Sequence, residues 1–289
     1  MNKVTAILRL TRVEHSFMLV IAVLAAELIT KGLPTLPILA LSLITPIFVS
    51  MGSFAINDYF DVEADRANKR LDMPIVSGAV SKNGAVYTFC LCMLIGIGAS
   101  LFINAYAFVI ALVFGALAFI YSYRLKGTLL LGNAYIALSM VIPFMFGDFV
   151  VSGMVPANIV LICFVIFLSG LAREIHGMIR DYRGDVRARK VKNLIHHIGA
   201  RRSAYIAALL YVEAIAISVF MFFFMPPFWH NLVYMVPILV VDAMLLYVSL
   251  GYVLYSSRKF FNASRNLSLG AMALALVVYL ATPLIYVPL

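Results

Sequence analysis

The sequence has few charged residues and few cysteines. Only 12% of its 289 residues are charged, whereas 64% are hydrophobic, and the mean hydropathy is +1.01. A soluble domain carries far more charge on its surface, so this scarcity excludes that class and indicates a membrane protein with several spans. The three cysteines, Cys90, Cys92 and Cys163, all lie in apolar runs and lack the spacing of metal ligands. We interpret them as packing residues.

Apolar runs of about twenty residues predict nine membrane spans. The runs cover roughly residues 14–31, 36–56, 84–103, 105–122, 129–151, 156–174, 204–225, 232–256 and 267–287. No range large enough for a soluble domain is left over, so we expect residues 1–289 to form a single all-α membrane domain. The first run has no obvious small-residue cleavage site after it, and we interpret it as a span and not as a removed signal.

The basic residues predict the orientation of the spans. With the N-terminus placed in the cytoplasm, only Lys31 among the 22 Lys and Arg residues falls on the outer side. Cytoplasmic loops are enriched in Lys and Arg, so this sorting predicts a multi-pass protein of the cell membrane with a cytoplasmic N-terminus. The net charge of +9 then reflects these loops and their contacts with anionic membrane lipid or substrate, and we expect no binding of nucleic acid.

Five of the thirteen acidic residues lie between Asp58 and Asp72, directly after the second predicted span. On a helix, Asn57, Asp61 and Asp65 recur at every fourth position and therefore share one face, with Asp58 at its edge. A row of unpaired carboxylates repels itself. A bound hard cation such as Mg²⁺, which prefers oxygen ligands, would stabilise it.

A second acidic pair follows the sixth predicted span. Asp181 and Asp185 are again four residues apart, on the same predicted side of the membrane as the first segment. Two facing rows of carboxylates with Mg²⁺ between them would form a site for a diphosphate. The loops 57–83 and 175–203 are long enough to cap a central cavity between the nine helices. Such a cavity, polar at its cap and apolar along its walls, suits a substrate with a charged head and a hydrocarbon tail.

The first acidic segment resembles the first signature of the UbiA superfamily of intramembrane prenyltransferases. The resemblance extends, in order, over about residues 10 to 200. The matching positions beyond the first acids are Arg66, Asn68, Lys69, residues 74–78, residues 121–126, Arg173, Glu174, Asp181, Gly184, Asp185 and Lys192. The chain departs from many relatives after Arg12, because residues 13–16 are Val, Glu, His and Ser where those relatives carry Pro and then Asn. This difference concerns the acceptor end of the site.

The resemblance implies a nine-helix membrane fold that transfers a prenyl group from a prenyl diphosphate to an acceptor, with Mg²⁺ as cofactor. The overall likeness is greatest to the archaeal digeranylgeranylglyceryl phosphate synthases. These join geranylgeranyl diphosphate to a lipid phosphate, geranylgeranylglyceryl phosphate, and so form the second ether bond of archaeal membrane lipids.

The resemblance also implies roles for individual residues. The implied metal ligands are Asn57, Asp61, Asp65, Asp181 and Asp185, of which the four aspartates are also implied to be catalytic, together with Lys126 and Tyr121. The implied substrate-binding residues are Arg12, Arg66, Lys69, Tyr123, Arg124, Lys126, Arg173 and Lys192. The rings of Tyr121 and Tyr123 are expected to stabilise an allylic cation by cation–π attraction.

Two other functions stay open at the level of the sequence. The first is the same chemistry on an aromatic acceptor, such as a quinone precursor or a porphyrin-type ring. An acceptor that carries phosphate needs cations beyond those that contact the diphosphate. The sequence offers such cations at Arg9, Arg12, Arg124 and Arg173, which favours a phosphate acceptor. The second is a divalent-cation transporter, for which acids deep in several spans are expected. Here the paired acids lie at span ends beside Lys and Arg, which favours the binding of anions.

Overall fold

The computed structural model describes residues 2–128, 130–189, 194–254 and 257–287. Within these residues the chain forms eleven α-helices and a short 3₁₀ turn, without any strand. The helices are α1 (Lys3–Thr11), α2 (Val13–Thr30), α3 (Leu36–Ala67), α4 (Lys82–Leu101), α5 (Ala105–Tyr123), α6 (Leu131–Val151), α7 (Ala157–Arg189), α8 (Leu194–Ile198), α9 (Ala200–Phe224), α10 (Leu232–Leu254) and α11 (Arg258–Ala281). The 3₁₀ turn, Leu125–Gly127, connects α5 to α6.

Nine helices in the described part of the chain, α2 to α7 and α9 to α11, are long and apolar enough to cross a membrane. The predicted all-α fold with nine spans is therefore confirmed. The bounds differ where charged residues extend a span, because α3 continues to Ala67 and α7 to Arg189. Both acidic segments are thus helical extensions of spans, whereas the sequence placed them in capping loops. Residues 57–67 contain neither glycine nor proline, so nothing interrupts the hydrogen bonds of α3 there.

The spanning helices pack into a closed ring. Contacts run from α2 through α3, α5, α6, α7, α9 and α10 to α11, and α11 returns to α2. α2 also packs closely against α6. A Cβ atom at Gly147 of α6 would lie 2.6 Å from the carbonyl oxygen of Val23 and 3.0 Å from Cβ of Ala26, so a glycine is required for this approach. The close contact fixes the position of α6, whose first turn borders the polar residues described below.

The two ends of the ring differ in chemistry. One end is filled by a buried aromatic cluster of Phe144, Phe228, Tyr234 and Tyr279. The ring centroids of Phe228 and Tyr234 are 4.7 Å apart, and Tyr279 packs against both. At the opposite end, the C-terminal turns of α3, α5, α7 and α10 meet the first turns of α2, α6 and α11. The fold therefore gathers charged side chains from distant parts of the chain at one end of an apolar bundle.

Candidate active site

Lys126 connects the 3₁₀ turn to the acidic face of α3. Its Nζ donates a hydrogen bond to Oδ1 of Asn57 at 2.9 Å and forms an ion pair with the Asp61 carboxylate. The Asn57 side chain also donates to Asp61, at 3.2 Å. Asn57 and Asp61 thus share one face of α3, as their spacing predicts, and their oxygens converge on a single cation.

Gly132 positions this turn against the start of α6. A Cβ atom at Gly132 would lie 2.8 Å from the carbonyl oxygen of Leu125, which is the first residue of the turn that carries Lys126. A real Cβ does not approach a carbonyl oxygen so closely, so any larger residue must displace the turn.

We therefore expect Gly132→Ala to lower kcat/KM for the prenyl donor by about tenfold, because a small shift of a positioning group weakens the contacts of the transition state. Steady-state kinetics on purified protein in detergent measures this effect. Gly98→Ala is the matched control, since a Cβ at Gly98 would meet no atom within 4 Å. Equal kinetics for the two variants would show that the turn tolerates displacement and that Gly132 does not position Lys126.

Two further acids of the α3 segment, Asp58 and Asp65, are buried and bound by arginines. Arg12 donates to Asp58 at 2.7 Å, and Arg70 donates to Asp65 at 3.0 Å. Arg12 joins α1 to α2 in the left-handed conformation (φ 45°), and its guanidinium also lies over the Phe54 ring. The Arg12–Asp58 pair accordingly ties the N-terminal helices to α3.

The second acidic segment borders a cavity of about 330 Å³. From α7, the side chains of Arg173, Glu174, His176, Arg180 and Asp181 contribute to its wall. Arg180 donates two hydrogen bonds to the Asp181 carboxylate, at 2.8 and 2.6 Å. Arg173 lies 3.7 Å from Glu174, which also accepts a hydrogen bond from an α6 side chain, that of Asn133, at 3.3 Å. The predicted Asp181 therefore lies within a dense set of opposite charges.

The predicted site residues Asp185 and Lys192 are not fully covered by the described part of the chain. Lys192 lies outside the described residues, and so does the side chain of Asp185. The backbone of Asp185 belongs to α7, one turn after Asp181, so the two residues occupy the same side of a continuous helix.

The remaining walls of the cavity come from five other elements. They are the end of α5, the 3₁₀ turn with residues 128 and 130, the start of α6, the end of α10 and the start of α11. Lys126 lies in this wall and also contacts Asn57 and Asp61. The predicted metal ligands Asn57, Asp61 and Asp65 do not themselves line the cavity, and Lys126 connects the acidic face of α3 to it.

Tyr121 and Arg173 also line the cavity, and the Tyr121 ring stacks on Tyr135 with centroids 4.5 Å apart. Several predicted substrate-binding residues, by contrast, do not contribute to its wall, namely Arg12, Arg66, Lys69, Tyr123 and Arg124. Tyr123 is 58% exposed, packs against Phe119 and has the Arg124 guanidinium over its ring. Arg66 lies on the other side of α3, 3.6 Å from Glu63.

Several cavity residues were not singled out from the sequence. They are Asn133, His176, Tyr252, Ser264 and Ser268, and also Arg180 and Arg265, which the sequence assigned only to cytoplasmic loops. The recurrence of Arg173, Gly177 and Asp181 at every fourth position is a signal that could have identified this face of α7. Ser264 and Ser268 have the same spacing on α11, but serines at a span end are too common to indicate a site.

The oxygen atoms on α3 suit a hard cation. Asn57 and Asp61 offer only oxygen ligands here and already bind the Lys126 ammonium group, so the donor set fits Mg²⁺ by its chemistry. Among the side chains that the structure describes, no three His, Cys, Asp or Glu residues are arranged to hold a metal by themselves. A bound diphosphate would have to supply further oxygen ligands.

Known proteins share this architecture. A family model described as "UbiA prenyltransferase family" matches residues 18–270. The digeranylgeranylglyceryl phosphate synthase of Archaeoglobus fulgidus is 37% identical over 280 residues, which cover 96% of this chain and 94% of that protein. The predicted family resemblance is therefore confirmed.

Solved structures agree with this assignment. A structure described as digeranylgeranylglyceryl phosphate synthase in membranes is 25% identical, with a TM-score of 0.80, and covers 98% of this chain and 99% of that one. A UbiA homolog from Archaeoglobus fulgidus, described as bound to GPP and Mg²⁺, has the same fold, with a TM-score of 0.64 at 21% identity over 95% of this chain and 99% of that one. With its nine spans and the match over most of its length, the chain belongs to the UbiA prenyltransferase family.

Proposed function

We propose that this protein transfers a geranylgeranyl group from geranylgeranyl diphosphate to geranylgeranylglyceryl phosphate, in a reaction that depends on Mg²⁺. The observation that carries this proposal is the similarity to digeranylgeranylglyceryl phosphate synthases over nearly the whole chain. The cavity supports it, because Lys126, Arg173, Arg180 and Arg265 place four cations at the end of an apolar bundle. Two anionic lipids require such a combination of charge and apolar surface.

The acidic residues of α3 and α7 are proposed to bind the diphosphate end of the donor. Asn57, Asp61, Asp65, Asp181 and Asp185 would hold Mg²⁺, which neutralises the negative charge of the diphosphate and makes it a better leaving group. Lys126 would add a direct charge-assisted hydrogen bond to a diphosphate oxygen. Its contact with Asn57 and Asp61 keeps the ammonium group at the border between α3 and the cavity.

The chemical step exchanges one carbon–oxygen bond for another. The bond between C1 of the donor and the diphosphate breaks, and positive charge develops on the allylic carbon. Tyr121, held by its stack on Tyr135, presents an aromatic ring at the cavity wall that can stabilise this charge. The acceptor hydroxyl oxygen then bonds to C1, its proton leaves, and diphosphate is released.

The location of the site is part of the proposal. The basic residues favour a cytoplasmic N-terminus, and this orientation places the cavity at the inner leaflet. Both substrates are amphiphiles, so their charged heads would lie at the cavity while their chains extend among the helices or into lipid.

A panel of acceptors tests the proposed function. Purified protein is given geranylgeranyl diphosphate with geranylgeranylglyceryl phosphate or with phenolic acceptors, in the presence and absence of Mg²⁺, and prenylated product and released diphosphate are measured. Among the acceptors tested, we expect only geranylgeranylglyceryl phosphate to be prenylated, and only when Mg²⁺ is present. Product with a phenolic acceptor alone would favour an aromatic prenyltransferase, and no release of diphosphate with any acceptor would overturn the assignment.

A further inference from the structure

The first turns of α11 form a part of the cavity wall to which the family resemblance gives no role. Ser264, Arg265 and Ser268 line the cavity there, together with Val248 and Tyr252 of α10. α11 packs against α2, α7 and α10, whereas α3 packs mainly against α1, α2, α4 and α5 and has smaller contacts with α6 and α7. The α11 wall and the α3 face with Asn57 and Asp61 therefore belong to two different helices, which share α2 and α7 as packing neighbours.

Arg265 differs from the other cations of the cavity in its contacts. Lys126 is paired with Asp61, Arg180 with Asp181, and Arg173 lies beside Glu174. None of the ion pairs that join described residues involves Arg265. A guanidinium that has no carboxylate partner among the described residues and lies at the wall of a cavity is suited to bind a phosphate through paired hydrogen bonds.

Two buried polar side chains of the same cavity also lack hydrogen-bond partners among the described residues. Ser264 is 2% exposed and His176 is 4% exposed, and both line the cavity. Neither the Ser264 hydroxyl oxygen nor either ring nitrogen of His176 has a hydrogen-bond partner among the described residues. The His176 ring is fixed by its stack on Tyr252, at 3.8 Å between centroids. Buried polar groups are nearly always hydrogen-bonded, so these unsatisfied atoms are available to bind a polar ligand in the cavity.

From these observations we propose that the α11 wall binds the phosphate group of the acceptor, with Arg265 as the main cation and Ser264 and His176 as further hydrogen-bond partners. This inference rests on the proposed function, since it names the place of the second anion in the same cavity. The donor diphosphate and the acceptor phosphate repel each other. Separate cations on α11 and at Lys126 would hold them apart while both lie in one site.

The surroundings of Ser264 also suit the hydrocarbon part of such an acceptor. Ser264 borders a second, apolar groove of about 420 Å³ between α10 and α11. The groove is lined by Met244, Tyr247, Phe260, Ala263, Leu267 and Gly270, and also by Asn266. A phosphate at Ser264 would therefore lie beside apolar surface on which a prenyl chain can pack.

The test compares the acceptor and donor kinetics of Arg265→Gln and Ser264→Ala with those of the unchanged protein. We expect Arg265→Gln to raise KM for geranylgeranylglyceryl phosphate by about thirtyfold, because a charge-assisted contact is lost, and to leave KM for geranylgeranyl diphosphate unchanged. Ser264→Ala should raise the acceptor KM by about threefold and should fold normally, since the hydroxyl forms no hydrogen bond within the described residues. Calorimetry measures binding of the acceptor in the absence of the donor. We expect this binding to be weakened more by Arg265→Gln than by Ser264→Ala.

Arg201→Gln is the matched control, because Arg201 is exposed on α9 and its guanidinium lies near the Tyr205 side chain, outside the cavity wall. An unchanged acceptor KM in Arg265→Gln, or an equal rise in the KM of both substrates, would overturn the assignment of the α11 wall. A failure of the proposed function would give a different result, because the unchanged protein would then form no product from geranylgeranylglyceryl phosphate.

Discussion

Asp61→Asn is expected to reduce turnover by about a thousandfold or more while the protein remains folded and inserted. The substitution keeps the size of the side chain and removes the charge to which both Lys126 and the proposed Mg²⁺ are attracted. Without that charge, the diphosphate is not neutralised as the carbon–oxygen bond breaks. Release of diphosphate from geranylgeranyl diphosphate at saturating acceptor and Mg²⁺ measures the loss, and size-exclusion chromatography in detergent checks the fold.

Glu63→Gln is the matched control for this variant. Glu63 lies two residues further along α3, but it is 75% exposed and interacts with Arg66 and Lys82 at the surface. We expect near-normal turnover, because exposed ion pairs contribute little to stability and because the ion pairs of Glu63 do not include Lys126, the cavity residue that pairs with Asp61. If Asp61→Asn retained activity like that of Glu63→Gln, the carboxylate of Asp61 would have no part in the chemistry.

Lys126→Met is expected to raise KM for geranylgeranyl diphosphate by about thirtyfold, equivalent to about 2 kcal/mol. The variant keeps a long apolar side chain and removes the ammonium group that faces the cavity beside Asn57 and Asp61. The donor then loses a direct positive contact, whereas the acceptor, proposed to bind at α11, loses none. Initial rates with each substrate varied in turn separate the two constants.

Lys82→Met serves as the control for Lys126, since Lys82 interacts only with Glu63 among the described acids and lies at the start of α4, outside the cavity wall. A rise confined to the acceptor KM in Lys126→Met would be incompatible with a donor site at α3. A similar loss in both lysine variants would indicate a general effect of charge and not a specific contact.

The arrangement of α3 was predictable because it depends on spacing alone. Asn57 and Asp61 are four residues apart, so any helix places them on one face, and Glu63 then points away, as its exposure shows. The length of α3 was not predicted correctly. A hydropathy window ends at the first charged residues, whereas the helix continues until residues that favour a turn, beginning at Asn68.

Contacts between residues far apart in the chain could not be predicted from the sequence. Arg12 and Asp58 are 46 positions apart, and their pairing depends on the left-handed conformation of Arg12 between α1 and α2. Arg265 follows Arg180 by 85 positions, and nothing in the sequence indicates that both face one cavity. Both arginines were therefore grouped with the basic residues of the loops, because the sign of a charge can be seen in a sequence but its partner cannot.

The most direct test of the account is the position of the metal. Manganese can replace Mg²⁺ in an experimental structure with an unreactive geranylgeranyl thiodiphosphate, and its anomalous scattering locates the ions. We predict manganese between α3 and α7, coordinated by Asp61 on one side, by Asp181 or Asp185 on the other, and by the diphosphate in between. Manganese bound to one helix alone, or located away from both acidic segments, would contradict the account.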